Sequence, residues 1–221
     1  MPLALLALTI SAFAIGTTEF VIVGLVPTIA NQLAISLPSA GLLVSIYALG
    51  VAVGAPVLTA LTGRFPRKQL LVALMVLFTA GNVLAWQAPD YTTLVIARLL
   101  TGLAHGVFFS IGSTIATSLV PKEKAASAIA IMFGGLTVAL VTGVPLGTFI
   151  GQHFGWRETF LAVSMLGVIA LIASAILIPR NIPGRAPASL SDQLKVLTHP
   201  RLLMIYAITA LGYVGVFTAF T

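Results

Sequence analysis

Apolar residues in this chain fall into long unbroken runs, separated by short stretches that hold nearly all of its charge. The runs cover about Leu3–Val26, Leu42–Leu61, Leu70–Ala88, Thr93–Leu119, Ser127–Ile150, Phe160–Ile178 and Leu202–Thr221. Each approaches the roughly 20 residues that a helix needs to cross a bilayer. Strands of a membrane barrel would alternate apolar and polar positions. The run Leu70-Leu-Val-Ala-Leu-Met-Val-Leu-Phe78 does not alternate, so helices are predicted. Ala12-Phe13-Ala14 has the form of a signal-peptide cleavage site, but no Lys or Arg precedes it and the apolar stretch continues to Ala30. An uncleaved first span is expected. The seventh run is still apolar at Phe220, and the expectation is a chain interrupted inside a helix.

Composition removes the competing classes. Of 221 residues, 59% are apolar and 7% are charged, against roughly 25% charged in a soluble domain. A soluble fold cannot keep its surface wetted on that ration, and disorder needs the opposite composition. The net charge of +6 sits in clusters between the runs, so it reflects topology and not a nucleic-acid partner. With no cysteine, disulfides, thiolate metal sites and a cysteine nucleophile are excluded.

Lysine and arginine set the expected orientation. Arg64, Arg67 and Lys68 follow the second run, Lys122 and Lys124 the fourth, and Arg180, Arg185, Lys195 and Arg201 the sixth. The opposite loops hold only Arg157, and Arg98 lies inside a run. The basic side is predicted cytoplasmic, with the N-terminus inside. Residues 179–200 are the one long polar stretch; Pro179, Pro183, Gly184 and Pro187 keep helix out of its first part, and Ser189–Asp192 could cap a short amphipathic piece. The predicted organisation is a six-helix bundle over 1–178, a cytoplasmic linker over 179–200 and the start of a second bundle over 201–221.

A repeat lies inside the first bundle. Gly54-Ala-Pro56 matches Gly143-Val-Pro145, and Phe65-Pro66-Arg67-Lys68 matches Phe154-Gly155-Trp156-Arg157, all 89 residues apart. Three spans repeating as three spans reverse direction in the membrane, the arrangement found in transporters with sites between the repeats.

Ionisable groups within spans are functional candidates because burying them is costly. Glu19, in the first run, and Arg98, in the fourth, are expected at similar depth, with His105 two turns beyond Arg98 on the same face. Glu19 is the candidate proton carrier, Arg98 its modulator, and His105 a relay or substrate contact. The alternative is a fixed Glu19–Arg98 ion pair and a hydrogen-bonded structural histidine. Gly134, Gly135, Gly143, Gly147 and Gly151, with Pro145 among them, suit close and bendable helix contacts. Tyr47 and Phe108 are candidate cavity residues. No metal-ligand cluster, phosphate loop or nucleophile–base pair is present in the sequence, so neither enzyme chemistry nor a cofactor is expected.

These motifs resemble the major facilitator superfamily, in its drug:proton antiporter branch, and are most similar to bacterial sugar (arabinose-type) efflux permeases. Gly63-Arg64-Phe65-Pro66-Arg67-Lys68 resembles the superfamily's loop signature G-x-x-x-D-R-x-G-R-K, with Gly63 in place of the aspartate. Ala97-Arg98 through Gly102 and Gly106 resembles the motif with a membrane-embedded arginine, and Gly143-Val-Pro145-Leu-Gly147 through Gly151 the antiporter motif. Gly16-Thr-Thr-Glu19-Phe20 resembles the acidic signature of the efflux branch, and Phe154-Gly-Trp-Arg157 with Phe160 the usual opening of span 6.

The resemblance implies an all-α polytopic membrane protein: the six-helix half of a major facilitator fold (a 3+3 inverted repeat), then a linker and a seventh span. It also implies proton-driven export of a sugar-like or drug-like small molecule through the bacterial inner membrane. Gly63, Arg64, Arg67 and Lys68 would form a cytoplasmic gate, and Gly143, Pro145, Gly147 and Gly151 a hinge. The implied partners are substrate, protons, lipid and a six-helix second half in the same polypeptide. Alternative readings are a proton-independent facilitator or symporter, and a seven-helix receptor or sensor.

Overall fold

A computed structural model describes residues 3–62, 65–180, 182 and 200–218. The chain divides into two units, 1–184 and 185–221. The first contains α1 (Leu3–Gln32), α2 (Leu37–Thr62), α3 (Arg67–Trp86) and α4 (Tyr91–Ser118). It continues with α5 (Ala125–Val138), a π-helical turn (Ala139–Gly143), α6 (Val144–Phe154) and α7 (Trp156–Leu177). Six of these stretches are long and apolar enough to span a membrane, with α5, the π turn and α6 forming one of them. In the second unit, the described residues form a single apolar helix, α8 (Pro200–Thr218). Most of the predicted linker lies outside the described residues.

Local chemistry sets several boundaries. α1 runs to Gln32, well past the predicted end at Val26, and the chain then turns through Ala34 at φ 52°. Ser36 starts α2 by accepting from the Ser39 N–H at 3.2 Å, and Asp90 caps α4 by accepting from the Thr93 N–H at 2.8 Å. In the fifth span, Pro145 has no N–H to give the carbonyl of Val141 and its ring crowds that position. The backbone answers with the wider π turn immediately before it. Gly155, at φ 103°, makes the reversal into α7 that an L side chain would oppose.

The helices pair as an inverted repeat requires. α2 packs on α4 and, reciprocally, the fifth span packs on α1, while the third helices of the two repeats, α3 and α7, pack on each other. Two apolar clusters result. One joins Leu5, Leu8, Ile15, Phe78, Phe108, Ile115 and Val163; the other joins Val21, Ile22, Leu25, Ile29, Leu43, Ala97, Trp156 and Phe160. Between them α1 contributes Thr17 and Thr18, α3 contributes Asn82, and α4 contributes Arg98 and Thr101, all buried. This polar layer halfway along the bundle carries the site. Large apolar side chains such as Val76, Ile96, Leu146, Ile169 and Ile176 remain exposed on the outer surface, as a lipid-facing helix bundle requires.

Candidate functional site

α1, α2 and α4 meet at the polar layer. Glu19 on α1 places Oε2 3.8 Å from Nδ1 of His105 on α4, and both side chains are partly exposed. The same Nδ1 lies 2.9 Å from the hydroxyl of Tyr47 on α2. His105 is therefore an ion-pair partner of Glu19 when protonated and a hydrogen-bonded neutral ring otherwise. Its ring also stands 4.9 Å from that of Phe109, which lies 4.8 Å from Phe133 of α5. One carboxylate, one imidazole and one phenol thus border an aromatic wall.

Arg98 is 1% exposed and is held mainly by backbone. Its Nη1 donates to the Thr18 carbonyl at 2.8 Å, and Nε reaches the Leu43 carbonyl at 3.4 Å. The guanidinium stands 4.1 Å from the centre of the Tyr47 ring, a cation–π geometry. Nη2 is buried without a hydrogen-bond partner among the described residues. Among the described residues no Arg98 nitrogen comes within ion-pair distance of Glu19, whose near neighbour is His105, so a fixed Glu19–Arg98 pair is not the arrangement found. The Thr18 carbonyl and the Tyr47 ring take up the guanidinium, while His105, two turns along α4, comes level with Glu19.

The other sequence candidates separate. Tyr47 is buried beneath Arg98, with its hydroxyl on His105. Phe108 is fully buried in the first apolar cluster, and Phe109, one turn from His105, takes the position beside the imidazole. Gly143 closes the π turn where an added Cβ would strike the Thr17 hydroxyl, and Cβ atoms on Gly147 and Gly151 would strike Val21 and Leu25. Pro145 sits at the start of α6. Arg67 and Lys68 open α3, partly exposed; Gly63 and Arg64 lie outside the described residues. Thr18, Asn82, Phe109 and Phe133 were not singled out from the sequence. Asn82, an amide within an apolar run, is the one whose residue type was itself a signal.

Paired three-helix repeats of opposite direction, with ionisable groups between them at mid-depth, define a bundle of the kind from which secondary transporters are built. The chain belongs to the Major Facilitator Superfamily, whose family model matches residues 8–221. It is 56% identical over 218 residues to YtbD of Bacillus subtilis (strain 168), described as an uncharacterized MFS-type transporter, covering 99% of this chain and 55% of that protein. It is 48% identical to the inner membrane transport protein YdhP of Escherichia coli (strain K12), covering 98% and 56%, and 37% identical to AraJ of the same organism, covering 100% and 56%.

The peptide transporter POT, solved in complex with sulfate, superposes with a TM-score of 0.73 at 16% identity, covering 99% of this chain and 46% of its own. The proton:xylose symporter XylE gives 0.65 at 18%, covering 78% and 43%. At those identities the likeness concerns the fold. The family and these relatives are transporters and not enzymes, and a seven-helix receptor is thereby set aside. The chain spans about half the length of the curated relatives it matches.

Proposed function

We propose that this chain is the first six-helix bundle, with the start of a second, of a proton-coupled exporter of a small sugar-like or drug-like molecule. The observation that carries the reading is the contact between the Glu19 carboxylate and His105, 3.8 Å apart and partly exposed in a largely apolar bundle. A carboxylate that accepts a proton there loses its ion pair. One that gives the proton up regains it, so occupancy of Glu19 changes the energy of the α1–α4 contact. His105 passes the proton or meets substrate, and Arg98 supplies a fixed positive field. The glycine-lined contact between α1 and the fifth span, with Pro145 and the π turn, lets the bundle rock.

The reading places the protein in the bacterial inner membrane, as for the relative YdhP. The distribution of Lys and Arg favours a cytoplasmic N-terminus, with Arg67 and Lys68 on the gate side. Alternating access requires a second bundle to move against.

The test is efflux from proteoliposomes containing the whole protein, driven by an imposed proton gradient. Glu19→Gln is expected to abolish gradient-driven export while leaving the protein folded. Unchanged gradient-driven export in that variant would remove Glu19 from the mechanism. Export that persists after the gradient is collapsed would favour a facilitator.

A further inference from the structure

Thr18 uses its hydroxyl differently from Thr9, Ser11 and Thr17 of α1. Thr9, Ser11 and Thr17 each return their hydroxyl to the carbonyl four residues back, those of Leu5, Ala7 and Phe13. Thr9 and Ser11 also reach the Ile131 carbonyl and the Ser174 hydroxyl, whereas the Thr18 hydroxyl makes its bond off its own helix, donating to Oδ1 of Asn82 on α3 at 2.7 Å. Nδ2 of Asn82 donates to the Phe78 carbonyl of α3 at 2.8 Å, which orients the amide and leaves Oδ1 free to accept. Asn82 is 1% exposed and Thr18 is fully buried. The carbonyl of Thr18 receives Nη1 of Arg98 at 2.8 Å. One residue thus ties α3, α1 and α4 together, and the next residue is Glu19.

An amide in a membrane interior is retained where its hydrogen bonds are needed, because packing alone is better served by an apolar side chain. A rotation of α1 about its axis would break the Thr18–Asn82 bond and swing Glu19 away from His105 together. We propose that Asn82 is a positioning residue for proton coupling. Through the Thr18 hydroxyl, it fixes the rotation of α1 that sets the Glu19 carboxylate beside His105 and the Thr18 carbonyl on Arg98. The proposal rests on the proton-export reading for its consequence in transport, but the geometry it asserts is testable without transport. The titratable and charged groups facing Glu19 are His105 and Arg98 on α4 and Tyr47 on α2. α3 and α5 present none towards it, and the His153 of α6 and the Arg157 and Glu158 of α7 cluster where those two helices join.

The decisive variant is Thr18→Val, which removes the hydroxyl and keeps the shape. It is compared with Thr18→Ser, which keeps the hydroxyl, and Asn82→Leu. In the whole reconstituted protein, the infrared carboxyl band that Glu19→Gln removes is followed against pH, and kcat and KM for gradient-driven efflux are measured. Thr18→Val and Asn82→Leu are expected to move the midpoint of that band by about half a pH unit or more. They should also lower kcat roughly ten- to a hundredfold with KM little changed. Thr18→Ser should match the parent protein in both. A Thr18→Val protein with the parent's band midpoint and kcat would overturn the proposal, leaving Asn82 a packing residue. If Asn82→Leu does not fold, Thr18→Val still decides. If Glu19→Gln leaves coupling intact, Glu19 is removed from the export mechanism, and the band midpoint still tests the positioning.

Discussion

Glu19 and Tyr47 converge on a single atom, Nδ1 of His105, from 3.8 Å and 2.9 Å. One nitrogen carries at most one proton, so His105 cannot donate to both. With Nδ1 bare, the Tyr47 hydroxyl donates to it; with Nδ1 protonated, its N–H donates to the phenol oxygen 2.9 Å away, while the carboxylate at 3.8 Å is a charge partner and not an acceptor. Direct proton transfer between His105 and Glu19 therefore requires one of the two side chains to move closer.

His105→Gln keeps a polar side chain but removes the exchangeable ring proton. A positioned proton donor or acceptor contributes typically 10²- to 10⁴-fold to the step it serves. The expected loss is therefore at least about a hundredfold in gradient-driven efflux, with substrate binding retained. Binding measured by calorimetry and flux measured in proteoliposomes separate the two. A variant that exports at the parent rate would make His105 a structural residue only.

Tyr47 has two separable tasks. Tyr47→Phe deletes the hydroxyl and keeps the ring beneath Arg98, and should cost about 1 kcal/mol, the usual net value of one hydrogen bond. Tyr47→Leu also removes the aromatic face 4.1 Å from the guanidinium and should cost about 1–2 kcal/mol more, because the charge is desolvated there. Thermal unfolding in detergent reads both. Equal losses in the two variants would mean that the ring contributes nothing to holding Arg98.

The architecture was legible in the sequence because a bilayer leaves few choices. Long apolar runs must be helices, and the 89-residue spacing of Gly54 and Gly143 announced the repeat that the pairing of α2 with α4 and α1 with the fifth span displays. Glu19, Arg98 and His105 were visible as charges where charge is costly. Their partners were not. Depth along a helix follows from counting residues, but which way a side chain reaches depends on helix rotation, set here by contacts such as Thr18–Asn82. For the same reason Phe108 and Phe109, adjacent in sequence, could not be told apart as core and site. The π turn was equally hidden, because Pro145 announces a disturbed backbone without saying whether it kinks or widens.

Asp90 gives a pH effect outside the membrane. The Thr93 N–H and the Thr93 hydroxyl donate to its carboxylate at the start of α4 and hold it below the ordinary value of 3.8. A carboxyl lowered by folding stabilises the fold fully above its unfolded value, and that contribution fades as pH falls through the lowered one. The protection of the first turn of α4 against hydrogen exchange, taken relative to the intrinsic rate at each pH, should therefore fall on acidification below about pH 4. In Asp90→Ala the exchange should be fast already at neutral pH and lose this acid step. An unchanged acid step in the variant would assign it to another group.

The contact between α2 and α4 predicts a large loss from a small change. A Cβ on Gly102 would strike the Tyr47 carbonyl, while one on Gly50 would come within 2.7 Å of the Leu99 carbonyl and one on Gly54 within 2.8 Å of that of Leu103. These are backbone atoms of rigid helices, so the helices must part instead of a side chain turning aside. Overpacking of this kind costs typically 1–3 kcal/mol, and Gly102→Ala should reach the upper part of that range. Parting the helices at Gly102 also draws Tyr47 away from Arg98 and His105, so coupling should fall along with stability. Gly41, also on α2, has nothing within 4 Å of its added Cβ. Gly41→Ala should therefore be neutral or raise stability by a few tenths of a kcal/mol through helix propensity. Thermal unfolding of the two variants side by side is the measurement. Similar values for both would show that close approach at this contact is not what the glycines supply.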